Sequence, residues 1–377
     1  TSIEPLKGYV GATVTVVAEN LGTIAKEDIQ MMFGETPATD ITIVDESTFT
    51  VKVPSLTTFG EIPLSMTIHG VEMNMGDYAA FEILASPVIT SVETDNKFSS
   101  KAVQVGNTVT IKGTGFRNST ISSATFGGQD LNYTVVSDTE ITASVSEQCA
   151  EGEDVITLKF DDVVVDVVSG DKLNMLKAGS DISDYILTNV KQPFESKEGK
   201  TSGHCTPVGW KFNYGAGNDG FCHNESEIEM PGEGLYMNDQ GGLLVIQSGW
   251  EGRSKKMNGK MFQIFNIPQG IYDVVIDVAE LATNGGGRKK AGLFISKGGE
   301  EQTPNMDASG NWTENTNLLK SVDFYKLGET YNENYKDRRF VIENLTIDYE
   351  GETTLGFAVH FDSNRALKIS SIKVLLK

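Results

Sequence analysis

The chain has 377 residues, with 52 Asp and Glu against 31 Lys and Arg, and a net charge of −21. A field of that sign repels polyphosphate and anionic headgroups, so nucleic acid and anionic membrane surfaces are disfavoured as partners. The length suits about two or three domains, and no apolar run reaches the length of a membrane span.

The first predicted elements are strands. In Thr13-Val14-Thr15-Val16 apolar residues alternate with threonine, the period of two of a half-buried strand. Residues 25–31 show one short helical periodicity. Runs at 41–44, 141–145, 155–160 and 163–168 read as further strands between Gly, Asn and Asp turn signals. Several features occur twice. Gly11-Ala12-Thr13-Val14-Thr15-Val16 returns as Gly106-Asn107-Thr108-Val109-Thr110-Ile111, and Phe33-Gly34 returns as Phe126-Gly127-Gly128. Ser47-Thr48-Phe49-Thr50-Val51 returns as Asp138-Thr139-Glu140-Ile141-Thr142-Ala143. An offset of roughly 90–95 residues is domain-sized and longer than a solenoid repeat, so it predicts tandem copies of one small antiparallel β-sandwich.

The second copy carries a family resemblance. Ile89-Thr90-Ser91-Val92, then Gly106-Asn107-Thr108-Val109-Thr110-Ile111-Lys112-Gly113-Thr114-Gly115-Phe116, then Ala124-Thr125-Phe126-Gly127-Gly128, resemble an IPT/TIG domain, an immunoglobulin-like fold. The first copy departs at Glu19-Asn20-Leu21, which stands where Gly113-Thr114-Gly115-Phe116 does. The resemblance implies two IPT/TIG-like sandwiches, at residues 1–87 and 88–177. It says little about ligand. In transcription factors the fold contacts DNA, but the basic surface this requires is missing here.

Lys177-Ala178-Gly179-Ser180 marks the next boundary, and residues 178–377 hold all three tryptophans and most tyrosines. The cysteines are Cys149, Cys205 and Cys222. Cys205 and Cys222 lie in one Gly- and Asn-rich segment and form a candidate disulfide, with free thiols as the alternative. The neighbouring His204 and His223 also allow a zinc reading, although adjacent residues do not converge as zinc ligands usually do. Asn-x-Ser/Thr sequons at Asn118, Asn132, Asn224, Asn311 and Asn344 are expected from composition alone.

Strands are predicted at 261–267, at Tyr272 through Val278, at 293–296, at 355–361 and at 372–376. Leu355, Phe357, Val359 and Phe361 alternate with Gly356, Ala358 and His360. A strand with a Gln-aromatic pair, a Pro268-Gln269-Gly270 turn and an aromatic-led strand resemble jelly rolls of the galactose-binding-domain-like type. Many carbohydrate-binding modules use that fold, and some of its members hold a structural calcium. No loop here has ligand spacing regular enough to assign one, so no metal and no cofactor is expected. The fold class expected is all-β: two tandem immunoglobulin-like sandwiches followed by a larger jelly roll. This order is similar to the surface glycan-binding lipoproteins of Bacteroidetes polysaccharide-utilisation systems. The resemblance implies a monomer, lipid-anchored on the extracellular face of the outer membrane, that meets a polysaccharide or oligosaccharide and other surface glycan-uptake proteins. A chain beginning at Thr1 fits removal of an upstream leader or anchor.

A sugar ring offers a C–H face that packs on Trp or Tyr, and hydroxyls that pair with amides, carboxylates and guanidinium groups. Three clusters supply such groups: Trp210, Asn213, Tyr214 and Asp219; Trp250 with Arg253; and Asn311 with Trp312. A further aromatic patch holds Phe324, Tyr325, Tyr331 and Tyr335. Each of these aromatics has packing in the core as its alternative, Trp210 most of all. The basic loop at 284–290 reads as a solvated turn. No nucleophile elbow, zinc helix or phosphate loop is present, so the chain is expected not to be an enzyme. The rival readings are a protein-binding adhesin or scaffold and an unrecognised glycoside hydrolase with a carboxylate pair.

Overall fold

The computed structural model describes residues 2–18, 23–56, 58–199, 203–213, 233–237, 241–247, 257–282, 289–306, 311–324, 336–361 and 366–377. In Thr13–Val17 the valines Val14 and Val16 are fully buried while Thr13 and Val17 face out. The alternation thus sets which face meets the core. Ser2–Glu4, Thr13–Val17, Thr48–Lys52 and Thr39–Ile43 lie in that order in one sheet. Lys7–Gly8, Ala80–Ile83, Gly60–Ile68, Ile29–Phe33 and Thr36–Pro37 form the sheet facing it. Between them sit Phe33, Phe49 and Phe81.

The second copy repeats the strand order throughout. One sheet runs Val88–Thr94, Thr108–Thr114, Glu140–Ser144, Asn132–Ser137. The other runs Ala102–Val103, Val167–Met175, Gly152–Phe160, Ile121–Phe126, Gln129–Asp130. Phe33 and Phe126 are both buried strand ends, each followed by a glycine with positive φ, Gly34 at 61° and Gly127 at 55°. In each copy a short entry strand pairs in parallel with the last strand, Lys7–Gly8 with Ala80–Ile83 and Ala102–Val103 with Val167–Met175. Every other strand pairing among the described residues is antiparallel.

Two expectations are corrected here. Residues 25–31 are not helical beyond the 3-10 turn Lys26–Asp28, because Ile29 and Met31 alternate into the core within Ile29–Phe33. The run 163–168 is not a strand as a whole. Val163–Asp166 is irregular, with a bend at Val164 and Val165, which are 60% and 73% exposed, and the strand begins at Val167. Glu19-Asn20-Leu21 lies outside the described residues.

Lys177–Lys377 is a separate compact unit. One sheet has the order Gly203–Cys205, Glu233–Met237, Leu243–Gln247, Ala366–Leu376, Gly270–Ala282, Lys336–Ile347. The other has Lys211–Asn213, Met257–Asn266, Glu352–Phe361, Lys289–Lys297, Leu318–Asp323. The two form a jelly-roll sandwich. The Pro268-Gln269-Gly270 turn is closed by Tyr272, whose hydroxyl donates to the Pro268 carbonyl at 2.7 Å. Gln263, 4% exposed, uses its side-chain amide as a strand uses its backbone. Oε1 accepts the Thr188 N–H at 2.9 Å and Nε2 donates to the Thr188 carbonyl at 2.5 Å. On the outer side of the first sheet, Arg339 grips Asp277 through Nε at 2.7 Å and Nη2 at 3.1 Å, and Ser371 donates to the same carboxylate at 2.7 Å. These bonds hold the Asp277 carboxyl below the usual carboxylate range.

Candidate functional site

Residues opposite one another on neighbouring strands share a face, as do residues two apart along a strand. On the second sheet of the C-terminal unit, one such row crosses all five strands: Asn213, Lys260, Ala358, Gly292, Asp323. The next row toward one end is Asn258, His360, Lys290, and toward the other Lys211, Phe262, Gly356, Phe294, Ser321. Among the residues whose side chains are described, Lys260, His360 and Lys290 lie toward one end of this face and Phe262 and Phe294 toward the other. Its middle strand carries only small side chains at Gly356 and Ala358, and then His360, as the alternation in the sequence predicts. Phe262, Phe294 and Ala358 are fully buried, beneath Met306 and the half-buried Trp312.

Trp312 is set at the edge of this face by contacts on several sides. Its indole N–H donates to Asp323 Oδ1 at 2.7 Å. Its ring meets Phe294 edge-on, with centroids 6.2 Å apart at 69°. Gly292 makes room for it, since a Cβ there would stand 2.8 Å from Trp312 Cζ2. The backbone around it is pinned by the Met306–Trp312 bridge and by Thr313, whose N–H and hydroxyl both donate to the Asn305 carbonyl at 2.8 and 3.1 Å. Lys260 anchors the same segment from inside the sheet. Only 5% exposed, it donates from Nζ to Thr303 Oγ1 at 2.8 Å and to Asn305 Oδ1 at 2.7 Å. A buried ammonium needs such partners, because desolvation without them is costly. Asn311, Glu314 and Asp323 are exposed, and of the three Asp323 is bonded to the ring.

The other predicted site residues fall elsewhere. Trp210 is 2% exposed, stacks on Phe357 at 5.9 Å and donates its N–H to the Asn189 carbonyl at 3.1 Å. It is a core residue, and the site proposed below leaves it out. Phe324 is also fully buried, against Phe340 and Phe357. Asn213 ends its strand beside Lys260. Tyr214, Asp219, Cys222, Trp250, Arg253, Tyr325, Tyr331 and Tyr335, with loop positions 284–288, lie outside the described residues. Of the candidate disulfide, only the Cys205 backbone is described, opposite Leu235. Cys149 is a buried free thiol. Among the described residues no group of three or more His, Cys, Asp or Glu gathers to hold a metal ion. No helix among them is long and apolar enough to cross a membrane.

Reading the sequence alone missed Asp323, Gly292 and Lys260. The last had a usable signal, as the single charged residue of the Met257–Asn266 strand, since a charge inside a buried strand needs a partner. Asp323 had none, because its role depends on a partner brought from the other side of a loop.

No curated protein matches the chain. Among solved structures it is similar to SGBP-B from a complex xyloglucan utilization locus in Bacteroides uniformis, at 13% identity over 100% of this chain and 99% of that chain, with a TM-score of 0.23. It is similar to the Bacteroides ovatus mixed-linkage glucan utilization locus SGBP-B in complex with a mixed-linkage heptasaccharide, at 12% identity over 97% and 73% of the two chains, with a TM-score of 0.22. It is also similar to TmCBM61 in complex with β-1,4-galactotriose, at 16% identity over 36% of this chain and 70% of that chain, with a TM-score of 0.22. Residues 1–82 and 87–168 each match the IPT/TIG domain family. The duplicated topology and these two matches agree: the chain carries two tandem IPT/TIG domains ahead of its C-terminal sandwich.

Proposed function

We propose that this is a non-catalytic glycan-binding protein of the cell surface, which takes a polysaccharide or oligosaccharide at the Trp312 edge of its C-terminal sandwich. The observation that carries the reading is the fixed, half-buried indole. Phe294, Gly292 and Asp323 hold one part of Trp312, which is half-buried, and the exposed Asn311 and Glu314 lie within two residues of it in the chain. A flat ring locked beside an amide and carboxylates suits the C–H face and the hydroxyls of a pyranose. Because Asp323 already orients the indole, binding costs little ring immobilisation. Binding at one such ring is weak, and repeated units along a glycan strengthen it when the protein is displayed at a surface.

The test is affinity electrophoresis of the full chain through gels cast with xyloglucan, mixed-linkage glucan, β-1,4-galactan and host glycoproteins. Retardation by one glycan class, lost in Trp312→Ala and partly kept in Trp312→Phe, is the expected result. Retardation that is unchanged in Trp312→Ala, or absent for every glycan, rejects the reading and favours a protein-binding adhesin.

A further inference from the structure

Asp323 is exposed, and one of its two oxygens, Oδ1, accepts the Trp312 indole N–H at 2.7 Å. Among the described residues its other oxygen takes no hydrogen bond, and Asp323 forms no ion pair. Ring and carboxylate share one seat. A Cβ at residue 292 would stand 2.8 Å from Trp312 Cζ2 and 3.4 Å from Asp323 Oδ1, so both side chains lie over Gly292. The two oxygens of a carboxylate share one carbon. Oδ2 is therefore held next to the N–H edge of the indole, with acceptor capacity to spare.

The cations of this region are engaged or placed elsewhere. Lys260 anchors the segment that carries the ring, but it is 5% exposed and donates to Thr303 and Asn305. Lys290, two residues from Gly292 on the same face, is half-buried and forms no ion pair with Asp323. Glu314, two residues from Trp312 in the chain, is exposed and also without an ion pair among the described residues. A neutral pyranose stacked on the ring meets an acceptor that lacks a donor, and its hydroxyls supply one. A uronate or sulfate ester stacked there brings like charge against a fixed carboxylate. Like charges a few ångströms apart repel even through water, and more strongly where the sugar displaces that water.

Resting on the reading of Trp312 as a glycan platform, we infer that Asp323 is the specificity-determining residue of that platform. Oδ1 fixes the indole, Oδ2 accepts a hydroxyl of the sugar stacked on it, and the fixed charge restricts the site to uncharged pyranosides. Acidic glycans are excluded.

The experiment is isothermal titration calorimetry of the full chain with xyloglucan, mixed-linkage glucan and β-1,4-galactan. Each polymer is used in its neutral form and after oxidation of part of its primary hydroxyls to carboxylates. Wild type is expected to bind one neutral polymer and its oxidised form about tenfold more weakly, with the gap narrowing in high salt. Asp323→Asn keeps an oxygen for the indole N–H, removes the charge and puts a donor in place of Oδ2. It is expected to bind the neutral polymer about tenfold more weakly, the effect of losing one hydrogen bond to a charged group. The oxidised and neutral forms should then bind it within about threefold of each other, since the repulsion is gone. The 19F resonance of a fluorinated Trp312 is expected to stay in place in Asp323→Asn. The inference is overturned if wild type binds both forms alike, or if their ratio is the same in wild type and Asp323→Asn. Asp323 then only positions the ring, and neutral binding that is lost in Trp312→Ala leaves the platform reading standing. Binding that Trp312→Ala leaves unchanged, or no binding to any polymer, rejects the platform and the role of Asp323 with it.

Discussion

Tyr272 folds back over its own turn, so Gly270 has to lack a side chain; a Cβ there would lie 2.9 Å from the phenol oxygen. Burial pushes the Tyr272 pKa up to about 12, while an unfolded tyrosine ionises near pH 10. The folded state therefore holds the proton more tightly, and its stabilisation is complete below about pH 10 and lost between there and about 12. Urea unfolding across pH 9 to 12 should show the midpoint falling in that window, and Tyr272→Phe should flatten the fall. Lys260 is subject to a different constraint. Lys260→Met removes an ammonium from Thr303 and Asn305, and is expected to cost about 2 kcal/mol in urea unfolding, the range for hydrogen bonds to a charged group. The 19F resonance of a fluorinated Trp312 should broaden in that variant, because the segment carrying the ring loses its inner anchor. An unchanged resonance would show that the bridge to Met306 suffices. The two residues differed in legibility. Tyr272 was marked in the sequence by Pro268-Gln269-Gly270, since a turn is local. Lys260 was marked only as a charge within a strand; its partners at 303 and 305 were not legible, because they come from a distant loop.

Strands were legible wherever a period of two set one face against a core, as at Thr13–Val17. The reading failed where apolar residues had another task. Val163 and Val164 looked like part of a strand but line the cleft between the IPT/TIG domains. Ile29 and Met31 fit a helical spacing as well as a strand, and their pairing with Gly60–Ile68 decided the matter. Trp210 was offered as a ligand residue because Asn213, Tyr214 and Asp219 follow it, with the core as its alternative, and the choice depended on what folds over it. Glycine at 113 is the clearest case of a strand position dictated by its neighbours. A Cβ there would collide with the Val88 carbonyl oxygen and the Phe116 ring. Gly113→Ala is therefore expected to destabilise the second IPT/TIG domain by about 1–3 kcal/mol, the cost of overpacking, read as a lower urea midpoint.

The chain consists of two compact units, Thr1–Leu176 and Lys177–Lys377, and the first holds two buried cores, one in each IPT/TIG domain. Differential scanning calorimetry should resolve more than one transition, since cooperative unfolding follows the packed core. Gly113→Ala should lower one of them and Lys260→Met another. A single transition shifted by both variants would show that the units unfold together. The parallel pairing of the second and last strands within each IPT/TIG domain has a mechanical consequence. Its bonds, Glu82 N–H to Leu6 O and Leu84 N–H to Gly8 O at 2.9 Å, have counterparts in Asn174 N–H to Lys101 O at 2.8 Å and Leu176 N–H to Val103 O at 2.9 Å. Strands that run the same way place a domain's entry and exit at opposite ends. Tension applied through the chain then loads each pair in shear, so its bonds bear the pull together and do not open one by one. Under the drag of a tethered polymer, each domain resists at the place where the force enters and leaves it.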